Sequence, residues 1–345
     1  MSISGVRPFP FFERQVLWMG AGFILLVAAS FLDFRLFRTQ RFVVLALYLV
    51  TTVLLVGVLL ANGTIRGVQS WFRIGGVLVQ PVEPMKVALI VLLAKFFSRR
   101  HVEIYRARHV VVSALYMVIP AGLVLLQPDV GSAILLAGIW VATIVFSGIK
   151  TRHLLFLLSL IAIASLVGWY WLLAPYQKAR IITFFDDPYR DPRGAGYQMI
   201  QTMIAAGSGQ FWGKGLGYGS QTHLHFLPEA ETDFIFATFA EEWGFMGAML
   251  LLALVALVIW RSVAIGMSAA DNFSRLYAHG FAALIFMQSF IHIGMNLGAL
   301  PITGITLPFV SYGGSSLVTS LWALGILQNI KITSRREFEE KDSSF

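Results

Sequence analysis

The sequence predicts an all-α, polytopic membrane protein: about nine transmembrane helices with a large extracytoplasmic loop. Three observations carry this. Of 345 residues, 57% are hydrophobic and 13% charged, with a mean hydropathy of +0.74, where soluble domains carry about 25% charged residues. Apolar runs near the ~20 residues needed to cross a bilayer recur along the chain. Basic residues gather in every second connection, as the positive-inside rule requires. The two-residue alternation of a membrane β-barrel is absent from the sequence.

The spans read as roughly 15–33, 42–61, 80–97, 109–127, 131–149, 153–173, 233–260, 277–296 and 315–330. Arg35, Arg38 and Arg41 follow the first, Arg99, Arg100, Arg106 and Arg108 the third, Lys150 and Arg152 the fifth. Arg261 and Arg275 follow the seventh, and Lys331, Arg335 and Arg336 the last. That shared side is expected to be cytoplasmic, with the N-terminus outside. The expected organisation is one membrane domain, 1–334, containing an outer loop at 174–232, then a charged cytoplasmic tail at 335–345.

The net charge of +8 is accounted for by these loops, so nucleic acid is not an expected partner, while membrane lipid is. No cysteine is present, which excludes disulfides, thiolate nucleophiles and Cys-based metal sites. No signal-peptide pattern opens the chain. The outer connections are rich in Gly, Trp, Gln and Pro and are expected to be folded.

Chemistry-bearing residues sit in polar islands on that outer side. In the first, Trp71 reads as an interfacial anchor. Glu83 and Lys86, three apart, share a helix face; they are either a mutual ion pair or a polar wall of an outward-facing cavity. Pro81 and Pro84 suit that helix's first turn. In the second, Asp129 opens an otherwise acid-free span, as a dipole-complementing charge or a third member of the same cluster. The outer loop holds Lys178, Arg180, Arg190, Arg193 and Lys214, which either pair with Asp186, Asp187 and Asp191 or bind a phosphate-bearing substrate. Residues 197–206 read as a short amphipathic helix with Gln198 and Gln201 on one face. Gly213, Gly215, Gly217 and Gly219 alternate around Lys214 without forming a P-loop or dinucleotide fingerprint. They suit tight turns and close backbone approach, so an ATP-driven mechanism has no support.

The richest island is FLPEAETDFIFATFAEEWG, 226–244. Asp233 reads as the first helical position after a Thr232 cap. It either complements the dipole or acts as a general base whose pKa is raised by Glu229, Glu231 and partial burial. Glu241 and Glu242 lie deeper, and at least one is expected to pair inside the bundle. His223 and His225 read as exposed loop histidines. The last island, 296–316, is apolar, yet Pro301, Gly304, Pro308, Gly313 and Gly314 forbid one smooth helix. Non-helical backbone at membrane depth belongs inside protein or along a wet cavity, so this is a re-entrant or capping segment.

Five strings, SWFRIGGVLVQPVEPMK, QPDVGSA, DPRGAGYQMIQTMIAAGSGQFWGKGLGYGSQ, FLPEAETDFIFATFAEEWG and PITGITLPFVSYGGSS, resemble the SEDS family (shape, elongation, division and sporulation), nearer its RodA-like branch. They occur in family order. Two departures stand out: Val82 and Pro84 replace the usual Ser and Phe of Q-P-S-E-F-x-K. The chain also resembles a family member lacking the first transmembrane helix, because FFERQVLWMG matches the start of the second.

The resemblance implies a peptidoglycan glycosyltransferase in the bacterial cytoplasmic membrane, with its active site on the outer face. Its implied substrate is lipid II and its partner a class B penicillin-binding protein supplying the transpeptidase. Carried over by motif, Asp233 is the catalytic base. Trp71, Glu83, Lys86 and Asp129 line the cavity, and Ser311 to Gly314, with Tyr312, cap it. Asp233 would take the proton of the acceptor's GlcNAc 4-hydroxyl, which attacks C1 of the donor MurNAc with inversion. Undecaprenyl pyrophosphate leaves. Lys178, Arg180, Arg193 and Lys214 are candidates to stabilise that charge; a divalent cation (Mg or Mn) at Asp233, Glu229 and Glu231 is another. Gln198 belongs to the same substrate-binding loop. Two rival functions fit many of the same features: a flippase for a lipid-linked precursor, and a non-catalytic scaffold for the penicillin-binding protein.

Overall fold

The structure is a computed structural model that describes residues 10–61, 70–74, 77–99, 107–171, 173–186, 188–190, 194–223 and 226–342. Each of the nine expected spans coincides with a helix: α1 Pro10–Phe31, α3 Arg41–Leu60, α4 Val82–Ser98, α5 Ala107–Leu126, α6 Val130–Phe146, α7 Thr151–Trp171, α11 Ile235–Met267, α12 Asn272–Asn296 and α13 Gly314–Asp342. Between them lie the short helices α2 Arg35–Thr39, α8 Pro175–Phe185, α9 Ala195–Ser208 and α10 Ser220–His223, with a 3-10 turn at Pro188–Arg190.

Six of the helices are long and apolar enough to cross a membrane, and α6 is a shorter apolar one. Large apolar side chains point outward around them, among them Leu17, Leu54, Ile119, Phe156 and Leu257. Such surfaces would be a liability in water and are ordinary against lipid tails. The centre is α4, buried from Val82 through Phe97 except at Pro84. A helix apolar on all sides is an interior helix, and α3, α5, α6, α12 and α13 pack around it.

The two ends of the bundle differ. At the basic end, Lys95 Nζ donates to the carbonyls of Phe37 and Arg38. Arg38 pairs with Asp271 at 3.2 Å, and Asp271 caps α12 through the N–H groups of Phe273 and Ser274. The connection after the first span, the end of α4 and the connection before α12 therefore meet at one end.

Three local features add to the all-α architecture. First, strands β1 Phe72–Ile74 and β2 Val77–Val79 pair antiparallel beside the helices. Two β-prone triplets around Gly75-Gly76 are a hairpin signal that the helical composition masked. Its exit is tied to α13, since Ser315 Oγ accepts from Gln80 N–H at 3.1 Å. Second, helix continues to Asp342, because Arg, Glu and Lys are good helix formers and nothing in 335–342 breaks the run. Third, α11 is interrupted at Gly244 (φ +65°, ψ −166°). The segment 210–215 replaces the lost helical bonds there. Lys214 and Gly215 N–H donate to the Glu241 and Glu242 carbonyls, both at 3.0 Å, and Phe245 N–H donates to Gln210 C=O at 2.8 Å. A Cβ on Gly213 or Gly244 would overlap backbone across this junction.

Candidate active site

Opposite the basic end, four segments converge: the first turn of α4, the 127–129 turn, α8, and the stretch 297–313 leading to α13. Lys86 Nζ lies 2.9 and 2.8 Å from the two carboxylate oxygens of Glu83, and both residues are buried. Asp129 joins them. It caps α6, its Oδ1 accepting Ser132 N–H at 2.9 Å and its Oδ2 the Ser132 hydroxyl at 2.7 Å. Loss of hydration pushes its pKa up, the Ser132 bonds and the nearby Lys86 oppose this, and Glu83 adds to it. Glu83 and Lys86 are thus a mutual ion pair, and Asp129 both caps α6 and lies within electrostatic reach of that pair.

The start of α8 docks beside this cluster, with Gln177 Nε2 donating to Pro128 C=O at 2.8 Å. Three residues on, Arg180 reaches the Ile302 carbonyl at 3.4 Å. Ile302 belongs to 297–313, which contains no regular helix or strand. Its Ile305 carbonyl is bonded to His292 Nδ1 at 2.7 Å. Gly304 has φ +73°, and a Cβ placed there would lie 3.6 Å from Asp233 Oδ2. The irregular segment is therefore one wall of the Asp233 site.

Asp233 is partly exposed and sits in a turn, not in a helix. The N-cap of α11 is Phe234, with no side-chain cap bond. Thr232 does not cap α11; its hydroxyl points back to Glu229, at 3.4 Å from the carbonyl and 3.3 Å from Oε2. The physical reason is Glu229 itself. With φ +61° it reverses the chain, and its carbonyl collects the N–H groups of Thr232, Asp233 and Phe234. Below the turn, Leu227, Ala230, Phe234 and Ala237 pack with Met199 and Ala205 of α9 and with Ile302.

Ser311 and Tyr312 prove to be fasteners of this turn. Ser311 Oγ donates to Thr232 C=O at 2.7 Å, and Tyr312 N–H donates to Glu231 C=O at 2.8 Å. Lys214 is drawn away from the phosphate-binding role expected of it. Its ammonium lies 2.7 Å from the fully buried Glu241 carboxylate and bonds Ser220 as well. Glu242 accepts Gly217 N–H at 3.1 Å. Trp71 is partly buried at the foot of β1, Lys178 lies on α8 and Gln198 on α9. Arg193 and His225 fall outside the described residues.

As a cation site, Asp233, Glu229 and Glu231 do not fit. Among the described residues no three acidic or histidine side chains converge as metal ligands; Glu231 is exposed, while the Glu229 carboxylate turns to Thr232. The residue that sequence reasoning passed over is Asn296, which bonds both Asp233 C=O and Ala237 N–H. Its one signal was an amide closing an apolar span.

The fold and site define a class: a multi-pass helical membrane protein in which, at the end opposite the basic one, a single turn presents a partly exposed carboxylate against an irregular segment. The chain belongs to the FtsW/RodA/SpoVE family of cell cycle proteins, which it matches over residues 2–336. It is 40% identical to stage V sporulation protein E of Bacillus subtilis over 331 residues, 95% of this chain and 88% of that one. It is 36% identical to the peptidoglycan glycosyltransferase MrdB of Escherichia coli K12 over 318 residues, 92% and 85% of the two chains. Among solved structures, it resembles a chain of a peptidoglycan synthase complex that coordinates polymerization and crosslinking (TM-score 0.79, 33% identity, 95% and 91% coverage). It also resembles the rod shape determining protein RodA of Thermus thermophilus (TM-score 0.68, 29% identity, 95% and 90% coverage).

Proposed function

We infer that this chain is a peptidoglycan glycosyltransferase that polymerises lipid II on the outer face of the cytoplasmic membrane, with Asp233 as general base. The observation that carries the residue assignment is the Asp233 turn: a partly exposed carboxylate on a backbone fixed by two other segments, at the end of the bundle opposite the basic one. Family membership and relatives named for this activity carry the reaction class. The Asp233 carboxylate accepts the proton of the acceptor 4-hydroxyl as that oxygen bonds to C1 of the donor MurNAc. The C1–O bond breaks, and its electron pair leaves on undecaprenyl pyrophosphate. A diphosphate needs no general acid, so one carboxylate suffices. Arg180, whose guanidinium reaches the Ile302 carbonyl of the irregular segment, is the candidate to favour the departing charge, with Lys178 of α8 a second. A class B penicillin-binding protein is the partner that would crosslink the product, in keeping with the likeness to a chain of a synthase complex.

The test is glycan-chain formation from lipid II by the purified protein in lipid, with its penicillin-binding protein present. Asp233→Asn is expected to lose about 10²–10⁴-fold in rate. A variant that polymerises as fast as wild type would remove Asp233 from the mechanism.

A further inference from the structure

The turn that bears Asp233 is fixed peptide by peptide. Three consecutive carbonyls accept from three residues on two segments: Glu231 from Tyr312 N–H at 2.8 Å, Thr232 from Ser311 Oγ at 2.7 Å, and Asp233 from Asn296 Nδ2 at 3.0 Å. On the inner side, Thr232, Asp233 and Phe234 N–H all donate to Glu229 C=O, at 3.1, 3.1 and 3.3 Å. Asn296 is the member of this set that holds the peptide of Asp233 itself.

Asn296 is the last residue of α12 and is fully buried. Its Oδ1 accepts Ala237 N–H at 3.0 Å, and the second hydrogen of Nδ2 goes to His292 C=O at 2.8 Å. Ala237 is the third residue of α11, one of the orphan donors of a helix start, and Phe234 at the N-cap has no oxygen to offer it. The amide orientation follows from its partners, because a flipped amide would face two carbonyls with its oxygen and an N–H with its nitrogen. One side chain thus joins the base's own peptide, the start of the helix behind it and the neighbouring span.

We propose that Asn296 is the positioning residue of Asp233: by tying the Asp233 carbonyl and the α11 start to α12, it fixes where the carboxylate stands against Gly304. This rests on the reading of Asp233 as the base. A cap alone would need only an acceptor for Ala237; the donated bond to Asp233 is the part that serves position.

The test uses the full chain in lipid, assayed with lipid II and its penicillin-binding protein. Asn296→Asp keeps the shape and the acceptor for Ala237 N–H, removes both donors and adds a charge near Asp233. Its kcat is expected to fall about 10- to 100-fold, since small displacements of a reacting group have effects of that size. KM should stay within about twofold, and the acid limb of the pH–rate profile should move upward, because a second anion disfavours ionisation of the first. Should this variant not fold, Asn296→Ser decides by the kcat-against-KM split. Its hydroxyl offers one hydrogen to the two carbonyls Asn296 serves. Asn329 supplies the control, a buried amide at the basic end that bonds Phe34 N–H at 3.2 Å and Ser30 C=O at 2.8 Å. Asn329→Asp is expected to lower the melting temperature and leave the acid limb in place. If Asn296→Asp melts early but keeps wild-type kcat and an unmoved limb, Asn296 is a cap and the proposal is overturned, with the base assignment standing. If Asp233→Asn, run in parallel, stays active, the base assignment fails and takes this inference with it.

Discussion

The Glu83–Lys86–Asp129 cluster makes an asymmetric prediction. Lys86 is the one cation among two carboxylates, and side-chain exposure in the Lys86–Glu83 pair is 3% and 7%. Glu83→Gln leaves Lys86 with an amide acceptor and the Asp129 charge nearby, so it should cost only about 1–2 kcal/mol, the range for an altered buried hydrogen bond. Lys86→Met leaves two acids without a counter-charge. Removing one partner of a buried pair costs about 3–5 kcal/mol, and the damage has a ceiling, because an orphaned acid can protonate instead. At pH 7 that costs about 3–4 kcal/mol for a carboxyl of ordinary acidity. With unfolding entropy scaled to this chain length, about 1–2 °C of melting temperature corresponds to 1 kcal/mol. Lys86→Met should therefore melt roughly 3–8 °C below wild type. The double variant Glu83→Gln/Lys86→Met should recover to within about 2 kcal/mol of wild type. The gap should also narrow on acidification, by about 1.4 kcal/mol per pH unit until the orphan is protonated. Scanning fluorimetry in lipid nanodiscs between pH 5 and 8 reads all of this. If Glu83→Gln melts lower than Lys86→Met, or if the two losses simply add, the three residues are not one electrostatic unit.

Two further outcomes follow from the same geometry. Gly304→Ala places a methyl 3.6 Å from Asp233 Oδ2 at φ +73°; it should destabilise by about 1 kcal/mol or more and slow polymerisation more than it raises KM, and wild-type turnover would detach the 297–313 wall from the site. Asp129 has a raised pKa, so its native state holds the proton more tightly than the unfolded chain. Its contribution to stability is present below the ordinary carboxyl value and is lost as pH rises through the higher native value. Asp129→Asn keeps an acceptor for Ser132 N–H and removes the titration, so its melting temperature should gain on wild type as pH rises; parallel curves would refute this.

Spans were legible because membrane burial writes itself as length and hydropathy, and one-sided charge fixed which ends belong together. Arg38–Asp271 and Lys95 on the α2 carbonyls show those ends meeting. The irregularity of 297–313 was legible from Pro and Gly, as were the left-handed glycines: Gly213, Gly215 and Gly217 all have positive φ. What escaped was set by partners distant in sequence. Thr232 looked like a helix cap because the local string permits it, but the α11 N–H that needs an acceptor finds Asn296, 59 residues away. Lys214 was read as pairing with loop acids or binding a phosphate because its actual partner, Glu241, lies 27 residues on. A left-handed Glu229 has no sequence signature, since non-glycine residues adopt that conformation only where surroundings enforce it.

That enforced turn bears on the base role proposed for Asp233. Loops carry function because they tolerate variation, yet a base must be held to within a fraction of an ångström. Extending α11 by two residues would stiffen Asp233 but would swing its side chain by the helical step and commit its carbonyl to the helix ladder. Leaving it in a free loop would cost rate through misplacement. Here Asp233 stays outside the helix, and its rigidity is borrowed. Tyr312 and Ser311 hold the two preceding carbonyls and Asn296 its own, while Ile302 and Ala230 pack beneath it. The segment that supplies Ser311 and Tyr312 also supplies Gly304, so whatever sets the position of 297–313 sets both the Asp233 turn and the wall facing it. The Glu83–Lys86 ion pair completes the division of labour: each partner offsets the other's buried charge, while Asp233 stands partly exposed on its turn.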